Sequence, residues 1–301
     1  MTMRSRSNWR PMLGLGLGAT LISFSAVFVR LAEVGPVTSG FYRVLFGGLF
    51  LLLFALIKGY LARIDLRSVL LGTVCGVIFA LNLTMWHNSI HLVGPGLATV
   101  LSNFQVFFMA LVGIVFFREQ LTWKFFGAVF LAVLGLFFLV EPGWTALGSG
   151  WRMGVVFGLL AAMCYTAYLL AVRHLQTDQA FGSVVVNMAV LSLITALIMG
   201  LELQALGESF RIPDTMSLLS LAGYGFFSQM VGWILISTSI TRLPVSVAGL
   251  LILLQPSLAF VWDILFFHRP TSLMDGMGAL MAFAAIYLGA TRQKAGHGQS
   301  K

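Results

Sequence analysis

Residues 90–119, IHLVGPGLATVLSNFQVFFMALVGIVFFRE, decide the fold because a second stretch of the chain repeats their layout. Residues 240–269, ITRLPVSVAGLLILLQPSLAFVWDILFFHR, again place a Pro or Gly break before an apolar run, one glutamine midway, and a terminal Phe-Phe beside a basic residue. At a shift of 150 the two stretches share seven identities, namely Ile90/Ile240, Ala98/Ala248, Leu101/Leu251, Gln105/Gln255, Ile114/Ile264, Phe116/Phe266 and Phe117/Phe267. The shared layout, more than the identities, indicates an internal repeat.

The composition predicts that lipid surrounds the chain. Hydrophobic residues make up 59% of the 301 residues and charged residues only 9%, whereas a soluble domain carries about a quarter charged residues. Apolar runs of about 20 residues recur, and each can cross a hydrocarbon core of ~30 Å as a helix. Because no water at that depth can bond the backbone, these runs must be helices. We therefore expect an all-α integral membrane protein.

Ten transmembrane helices fit the chain, separated by Gly and Pro residues that end helices. The spans are 12–33, 38–57, 68–90, 94–117, 124–140, 152–172, 182–201, 216–240, 244–267 and 272–291. The first span follows basic residues, as a signal peptide would, but no small-x-small cleavage site comes after it, so we expect an uncleaved helix. Gly14/Gly18 and Gly154/Gly158 have the spacing of close helix packing.

Basic residues indicate the orientation. With the N-terminus inside, thirteen Lys and Arg residues fall on the cytoplasmic side and four outside, while Arg43 lies within the second span. This bias predicts that both termini are cytoplasmic. The net charge of +8 is then explained by topology, and no nucleic-acid partner is expected.

The repeat divides the chain into 1–145 and 146–301, each with five helices. Five is an odd number, so the second half must be inserted upside down relative to the first. A shift of 147 also pairs Asn82 with Gln229 and Trp86 with Trp233. Two inverted five-helix repeats around a central site are typical of secondary transporters.

With these features the chain resembles the drug/metabolite transporter (DMT) superfamily, specifically its EamA-type members, and most of all the YddG-type amino-acid exporters. The resemblance covers nearly the whole chain and includes FYRVLFGG at 41–48, FFREQLT at 116–122 and FFHRPTS at 266–272. Glu119 fits the family pattern, while Arg269-Pro270 departs from it. The resemblance implies a central cavity lined mainly by spans 1–4 and 6–9, with spans 5 and 10 peripheral.

Amide and indole side chains repeat at the same spacing in the two halves. Asn82 and Trp86 are four residues apart and share one helix face, as do Gln229 and Trp233. An amide suits both groups of a zwitterion, and an indole supplies an apolar wall. The alternative is that such residues join helices or sit in an interfacial belt. The predicted substrate-binding residues are Asn82, Trp86, His87, Gln105, Tyr165, Tyr168, Gln229, Trp233 and Gln255.

Gln105 and Gln255 lie in the middle of their spans, and Gln255 precedes Pro256, which cannot donate a backbone hydrogen bond. Either the resulting kink faces a ligand, or a neighbouring group satisfies the freed carbonyl. The hydroxyls of Tyr165 and Tyr168 either line the cavity or bond the backbone of their own helix.

Two charged residues within the spans are candidates for gating or coupling. Embedding Arg43 costs ~2.5–3.5 kcal/mol on insertion scales, and it could bind a substrate carboxylate, close a gate with Glu33, or stabilise a helix end. Asp263 could carry a coupled proton or pair with Arg269 or another base. His87 and His91 lack a third ligand, so we expect no metal site and no cofactor.

The sequence thus predicts a monomeric secondary transporter of the bacterial inner membrane that exports amino acids or similar small metabolites by alternating access. A multidrug or other metabolite carrier of the same superfamily is the main alternative. An intramembrane enzyme is disfavoured because GxSxG, HExxH and paired carboxylates within the spans are missing from the sequence. A channel is the third possibility.

Overall fold

The computed structural model describes residues 9–139, 150–268 and 273–291, and this part of the chain is helical, with no β-strand. It contains eight helices that are long and apolar enough to cross a membrane, together with two further apolar helices, α5 and α10. In chain order the helices are α1 (Trp9–Leu31), α2 (Pro36–Ile57), α3 (Leu66–Gly94), α4 (Leu97–Val115), α5 (Trp123–Leu139), α6 (Trp151–Gln176), α7 (Phe181–Ala205), α8 (Thr215–Ile240), α9 (Val245–Phe267) and α10 (Leu273–Thr291).

Several of these helices are interrupted. A kink at Gly94, whose φ is 80°, separates α3 from α4. A break divides α1 into Trp9–Ser23 and Ser25–Leu31. In α4 the first part ends at Ser102 and the second part is Gln105–Val115. A break also divides α9 into Val245–Ile252 and Leu254–Phe267. The middle of α8, Tyr224–Gly232, is a π-helix, and a short 3₁₀-helix spans Tyr60–Arg63.

The interruptions of α4 and α9 lie just before the two mid-span glutamines. The second part of α4 begins at Gln105, and α9 is interrupted at Leu253, two residues before Gln255. In α9, Pro256 cannot donate to the carbonyl one turn earlier, which weakens the helix at that point. In α4, Asn103 Nδ2 and Ser102 Oγ donate to the Thr99 carbonyl at 2.8 and 3.0 Å, and such bonds bend helices. Two different chemical causes therefore produce breaks close to Gln105 and Gln255, the two glutamines that align at a shift of 150.

Aspartates begin two of the spanning helices. Asp65 Oδ1 accepts a hydrogen bond from Ser68 N at 2.9 Å at the start of α3, and Asp214 does the same for Ser217 N at 2.7 Å at the start of α8. Each satisfies a backbone donor that the helix leaves unpaired. The hydrogen bonds with Ser68 hold the pKa of the Asp65 carboxyl below its ordinary value.

The helices of the two halves are interleaved. Extensive contacts join helices from the first and second parts of the chain. α1 packs against α8 as α3 packs against α6, and α2 packs against α8 as α3 packs against α7. Three further pairs join helices five places apart, namely α2 with α7, α4 with α9 and α5 with α10. Exchanging each helix for the one five places along the chain returns these same pairs. α1 also contacts α9, and the same exchange turns that pair into the observed contact between α4 and α6. The main packing surfaces therefore run between residues before and after the middle of the chain.

Glycines allow the closest of these helix crossings. A Cβ at Gly18 would lie 2.7 Å from the Gly232 carbonyl oxygen in α8, and one at Gly135 would lie 2.6 Å from the Gly278 carbonyl oxygen in α10. Gly154 and Gly158 likewise face neighbouring side chains at less than contact distance. The predicted packing role of the spaced glycines is confirmed.

We expect Gly18→Ala to separate α1 from α8 and to lower the free energy of unfolding by about 1–3 kcal/mol, as overpacking does. Gly16→Ala is the matched control, because a Cβ there meets only the Leu254 side chain, at 3.9 Å. The melting temperatures of both variants in detergent provide the measurement. Equal melting temperatures would show that the α1–α8 crossing tolerates the added methyl group.

Candidate functional site

The centre of the structure is organised by the crossing of α2 and α8. A Cβ at Gly225 would lie 2.8 Å from the Gly47 amide nitrogen, so the two backbones touch at this point. Arg43 lies one turn before Gly47, and Gln229 lies about one turn after Gly225. α2 and α8 run in the same direction, because Thr38 and Tyr42 at the start of α2 donate to the Ser209 and Phe210 carbonyls just before α8. A Cβ at Gly47 would meet the Gln229 side chain, so the crossing also places Gln229 within reach of the Arg43 side chain. Gln229 also lies within the π-helical segment of α8, a distortion common at functional sites.

Arg43 is buried, with only 9% of its surface exposed, and neutral groups surround it. Its Nε donates to Gln229 Oε1 at 3.0 Å, and its Nη1 donates to Tyr224 Oη at 3.4 Å. The guanidinium carbon lies 5.9 Å from the centre of the Phe79 ring. The salt bridge observed in the described part of the chain joins Arg30 to Asp263, and Arg43 takes no part in it. Among the described residues, no side-chain carboxylate forms a salt bridge with the buried Arg43 charge.

Aromatic rings from α3, α6 and α8 pack beside this charge. Phe79 stacks on Tyr168 with ring centres 4.4 Å apart, and the Trp233 ring meets Tyr168 edge-on at 4.9 Å. The Tyr165 ring also stacks on Tyr168, with ring centres 6.3 Å apart. We define the central cluster as Arg43, Phe79, Tyr165, Tyr168, Tyr224, Gln229 and Trp233.

Three buried polar atoms at or beside the central cluster have no hydrogen-bond partner. They are the Tyr168 hydroxyl, Trp233 Nε1 and Gln255 Nε2, and Gln255 lies beside the Tyr165 hydroxyl. A buried donor left unpaired costs about 1–3 kcal/mol. Other unpartnered buried atoms of the described residues, such as Gln176 Nε2, Asn187 Oδ1 and Ser217 Oγ, lie outside the cluster. The three donors here therefore make the cluster one candidate place for a ligand, because such groups are rare in a well-packed interior.

The structure places several other predicted site residues in helix contacts. Asn82 Nδ2 donates to the Ala161 carbonyl at 2.9 Å, which joins α3 to α6. Gln105 Nε2 donates to the Gly249 carbonyl at 3.1 Å, which joins α4 to α9. Both amides make the helix-joining bonds that the sequence left as the alternative.

The remaining predicted residues lie on α3 and α9. Trp86 is half-buried, with its ring 5.5 Å from that of His87, and His87 is buried with Nδ1 unpartnered. Asp263 pairs with Arg30 of α1 at 2.7 Å. Arg269, the partner considered from the sequence, is outside the described residues.

The sequence did not single out Phe79, Tyr224 or Ser192. Phe79 precedes Trp86 by two helical turns and so lies on the same face, a signal that a helical periodicity could have provided. Tyr224 precedes Gln229 by one turn of the π-helix. Ser192 accepts a hydrogen bond from Gln229 Nε2 at 3.0 Å, and nothing in its local sequence indicates that contact.

Polar contacts hold α9 at both ends. At its start, Glu119 accepts hydrogen bonds from the backbone amides of Val245 and Ser246 at 2.6 and 3.2 Å. Arg173 donates to the Ile240 carbonyl just before it, at 2.6 Å. Asp263, paired with Arg30, lies 18 residues further along α9, about 27 Å at the rise of a helix.

Comparisons with known proteins agree with a helical transporter. The model of the EamA-like transporter family matches residues 9–141 and 152–291. An uncharacterized transporter of Methanothermobacter thermautotrophicus is 24% identical over 298 residues, which cover 91% of this chain and 82% of the relative. A solved crystal structure that is 15% identical superposes with a TM-score of 0.77 over 93% of this chain and 96% of its own. This last likeness concerns the fold alone.

We expect Gln229→Met to destabilise the protein, because it removes the acceptor of Arg43 Nε while keeping the length of the side chain. Leaving a charged donor unsatisfied should cost about 1.5–3 kcal/mol, visible as a lower melting temperature in detergent. Gln204→Met, at an exposed position of α7, is the matched control. If both variants melt alike, Arg43 does not depend on Gln229.

Proposed function

The chain belongs to the EamA-like transporter family, and we propose that it is a secondary transporter that exports amino acids or similar small metabolites by alternating access. The observation that carries this proposal is the central cluster. Its residues come from α2 and α3 before the middle of the chain and from α6 and α8 after it. A site assembled from both halves changes its accessibility when the halves move relative to each other.

The proposed architecture is ten transmembrane helices arranged as two inverted repeats, 1–145 and 146–301. The helix pairing supports it, because exchanging the halves returns the same main pairs. The breaks before Gln105 and at Leu253 support it as well, since interrupted helices in corresponding positions accompany transporter binding sites. The family model matches the chain in two segments that correspond to these halves.

We place the protein in the bacterial inner membrane as a monomer with both termini cytoplasmic. The distribution of Lys and Arg between loops supports this orientation. All residues of the central cluster belong to one chain, so a second copy is not needed to complete the site.

Alternating access requires that the central cluster open to each side in turn. Gln229, Tyr168 and Trp233 are buried, with at most 1% of their surface exposed, so a solute reaches them only when helices separate. The contacts at the two ends of α9 are suited to this. In the proposed cycle, the Arg30–Asp263 pair closes the outer side and the Glu119 contacts close the cytoplasmic side, and each opens in turn.

Counterflow in proteoliposomes tests the proposal, with unlabelled amino acids inside and labelled Thr, Met or Phe outside. We expect saturable, stereoselective exchange that falls at least about tenfold in Tyr165→Ala, since removing a hot-spot aromatic costs more than ~1.4 kcal/mol. Trp123→Ala is the control, because Trp123 of α5 is 89% exposed.

Each alternative predicts a different outcome in that assay. Flux that does not saturate would indicate a channel. Exchange that unrelated cationic drugs inhibit as well as amino acids do would indicate a multidrug carrier. The absence of exchange with every amino acid would contradict the proposed substrate class.

A further inference from the structure

The central cluster offers hydrogen-bond donors without matching acceptors. A guanidinium and an indole nitrogen can only donate, and Arg43 uses just two of its nitrogens, Nε and Nη1, in the observed bonds. Trp233 Nε1, the Tyr168 hydroxyl and Gln255 Nε2 are all unpartnered. A ligand that satisfies this set must bring several acceptor atoms.

The positive charge of Arg43 also indicates a ligand with acceptor atoms, in this case an anion. Carboxylates in the described part of the chain bond to other groups: Asp263 to Arg30, Glu119 to backbone amides of α9, and Glu202 to the Thr84 hydroxyl at 2.7 Å. None of these bonds involves Arg43. A buried cation is strongly destabilising unless an anion joins it, so the missing negative charge is expected to arrive with the ligand.

We propose that the central cluster is a carboxylate site in which Arg43 binds the anion and the ligand's ammonium group, where present, is dispensable. The proposal rests on the proposed transport function and specifies its substrate class as small monocarboxylates with an apolar or aromatic side chain. Arg43 forms charge-assisted bonds to the carboxylate, and Trp233 Nε1 and the Tyr168 hydroxyl donate to it when the helices rearrange around the ligand.

The remainder of the ligand would pack against rings. Phe79, Tyr168 and Trp233 present an apolar wall on one side of Arg43. The aromatic faces there would attract an ammonium group. The observed contacts of the cluster include no carboxylate, however, and the Arg43 charge would repel the ammonium group. The ammonium of an amino acid therefore contributes little to binding compared with the carboxylate.

Gln229 acts in this site as a positioning residue. Its Oε1 accepts from Arg43 and its Nε2 donates to Ser192 Oγ, both at 3.0 Å, so both ends of the amide are occupied. This differs from the expectation that Gln229 contacts the substrate directly, and it assigns the direct contact to Arg43.

Three ligands that differ by one group test the proposal on the purified full-length protein. L-Phenylalanine carries both charged groups, 3-phenylpropionate only the carboxylate, and L-phenylalaninamide only the ammonium. We expect the first two to bind in calorimetric titrations and the third to bind at least about tenfold more weakly. Arg43→Gln should weaken binding of both carboxylates by about 10- to 100-fold, as loss of a charge-assisted bond does. Arg152→Gln, at an exposed arginine, should change nothing.

Two conservative variants distinguish a loss of ligand contacts from a loss of folding. Trp233→Phe and Tyr168→Phe remove one unpartnered donor each and keep the ring. Because such donors gain nothing in the ligand-free protein, its melting temperature should hold or rise, while carboxylate binding weakens several-fold. If binding is unchanged in both variants, the donors do not face the ligand and the site as proposed is wrong.

The outcomes separate this proposal from the transport function. Amino-acid exchange that L-phenylalaninamide inhibits as well as 3-phenylpropionate does would overturn the carboxylate site and leave the transporter. Arg43-dependent binding of 3-phenylpropionate without exchange of any amino acid would support the site and contradict amino-acid export. The failure of both carboxylates to bind would overturn the proposal.

Discussion

A positive charge held inside a lipid-embedded helical bundle, with no carboxylate among its contacts in the described residues, is the constraint on which the rest of this structure depends. Arg43 is kept there by the Gln229 carbonyl, the Tyr224 hydroxyl and the face of Phe79. These partners orient the guanidinium but do not neutralise it. Stability alone would favour an apolar residue at this position, which is why we propose that the arginine serves a ligand.

Close packing makes this arrangement possible. The Gly47–Gly225 contact sets α2 against α8 at backbone distance, and one turn away from that contact Arg43 meets Gln229. The π-helical segment of α8 adjusts the direction of Gln229 without ending the helix. The breaks in α4 and α9 leave these helices less rigid next to the cluster, as a carrier that opens on two sides requires. The same residues therefore contribute to the fold and to the proposed movement.

Much of the fold could be predicted from the sequence, because apolar length and Gly/Pro breaks report directly on membrane-spanning helices. The eight long helices lie where apolar runs were expected, and α5 and α10 lie at the two remaining runs. The site was harder to predict. Asn82, Gln105 and Gln229 all join helices, and Gln229 in addition accepts a hydrogen bond from the buried Arg43. An amide pattern in the sequence cannot reveal that difference. The depth of Arg43 depends on the α2–α8 crossing, a contact between residues 186 positions apart.

The most direct test supplies the missing negative charge within the protein. Gln229→Glu places a carboxylate where Gln229 Oε1 now accepts the Arg43 Nε bond. The melting temperature of the ligand-free variant and its counterflow of labelled amino acid are then measured on one preparation. The account predicts a melting temperature that holds or rises, together with loss of exchange, because the internal ion pair competes with the substrate carboxylate. A stable variant that exchanges as well as the parent protein would contradict it, since Arg43 would then not need a free charge.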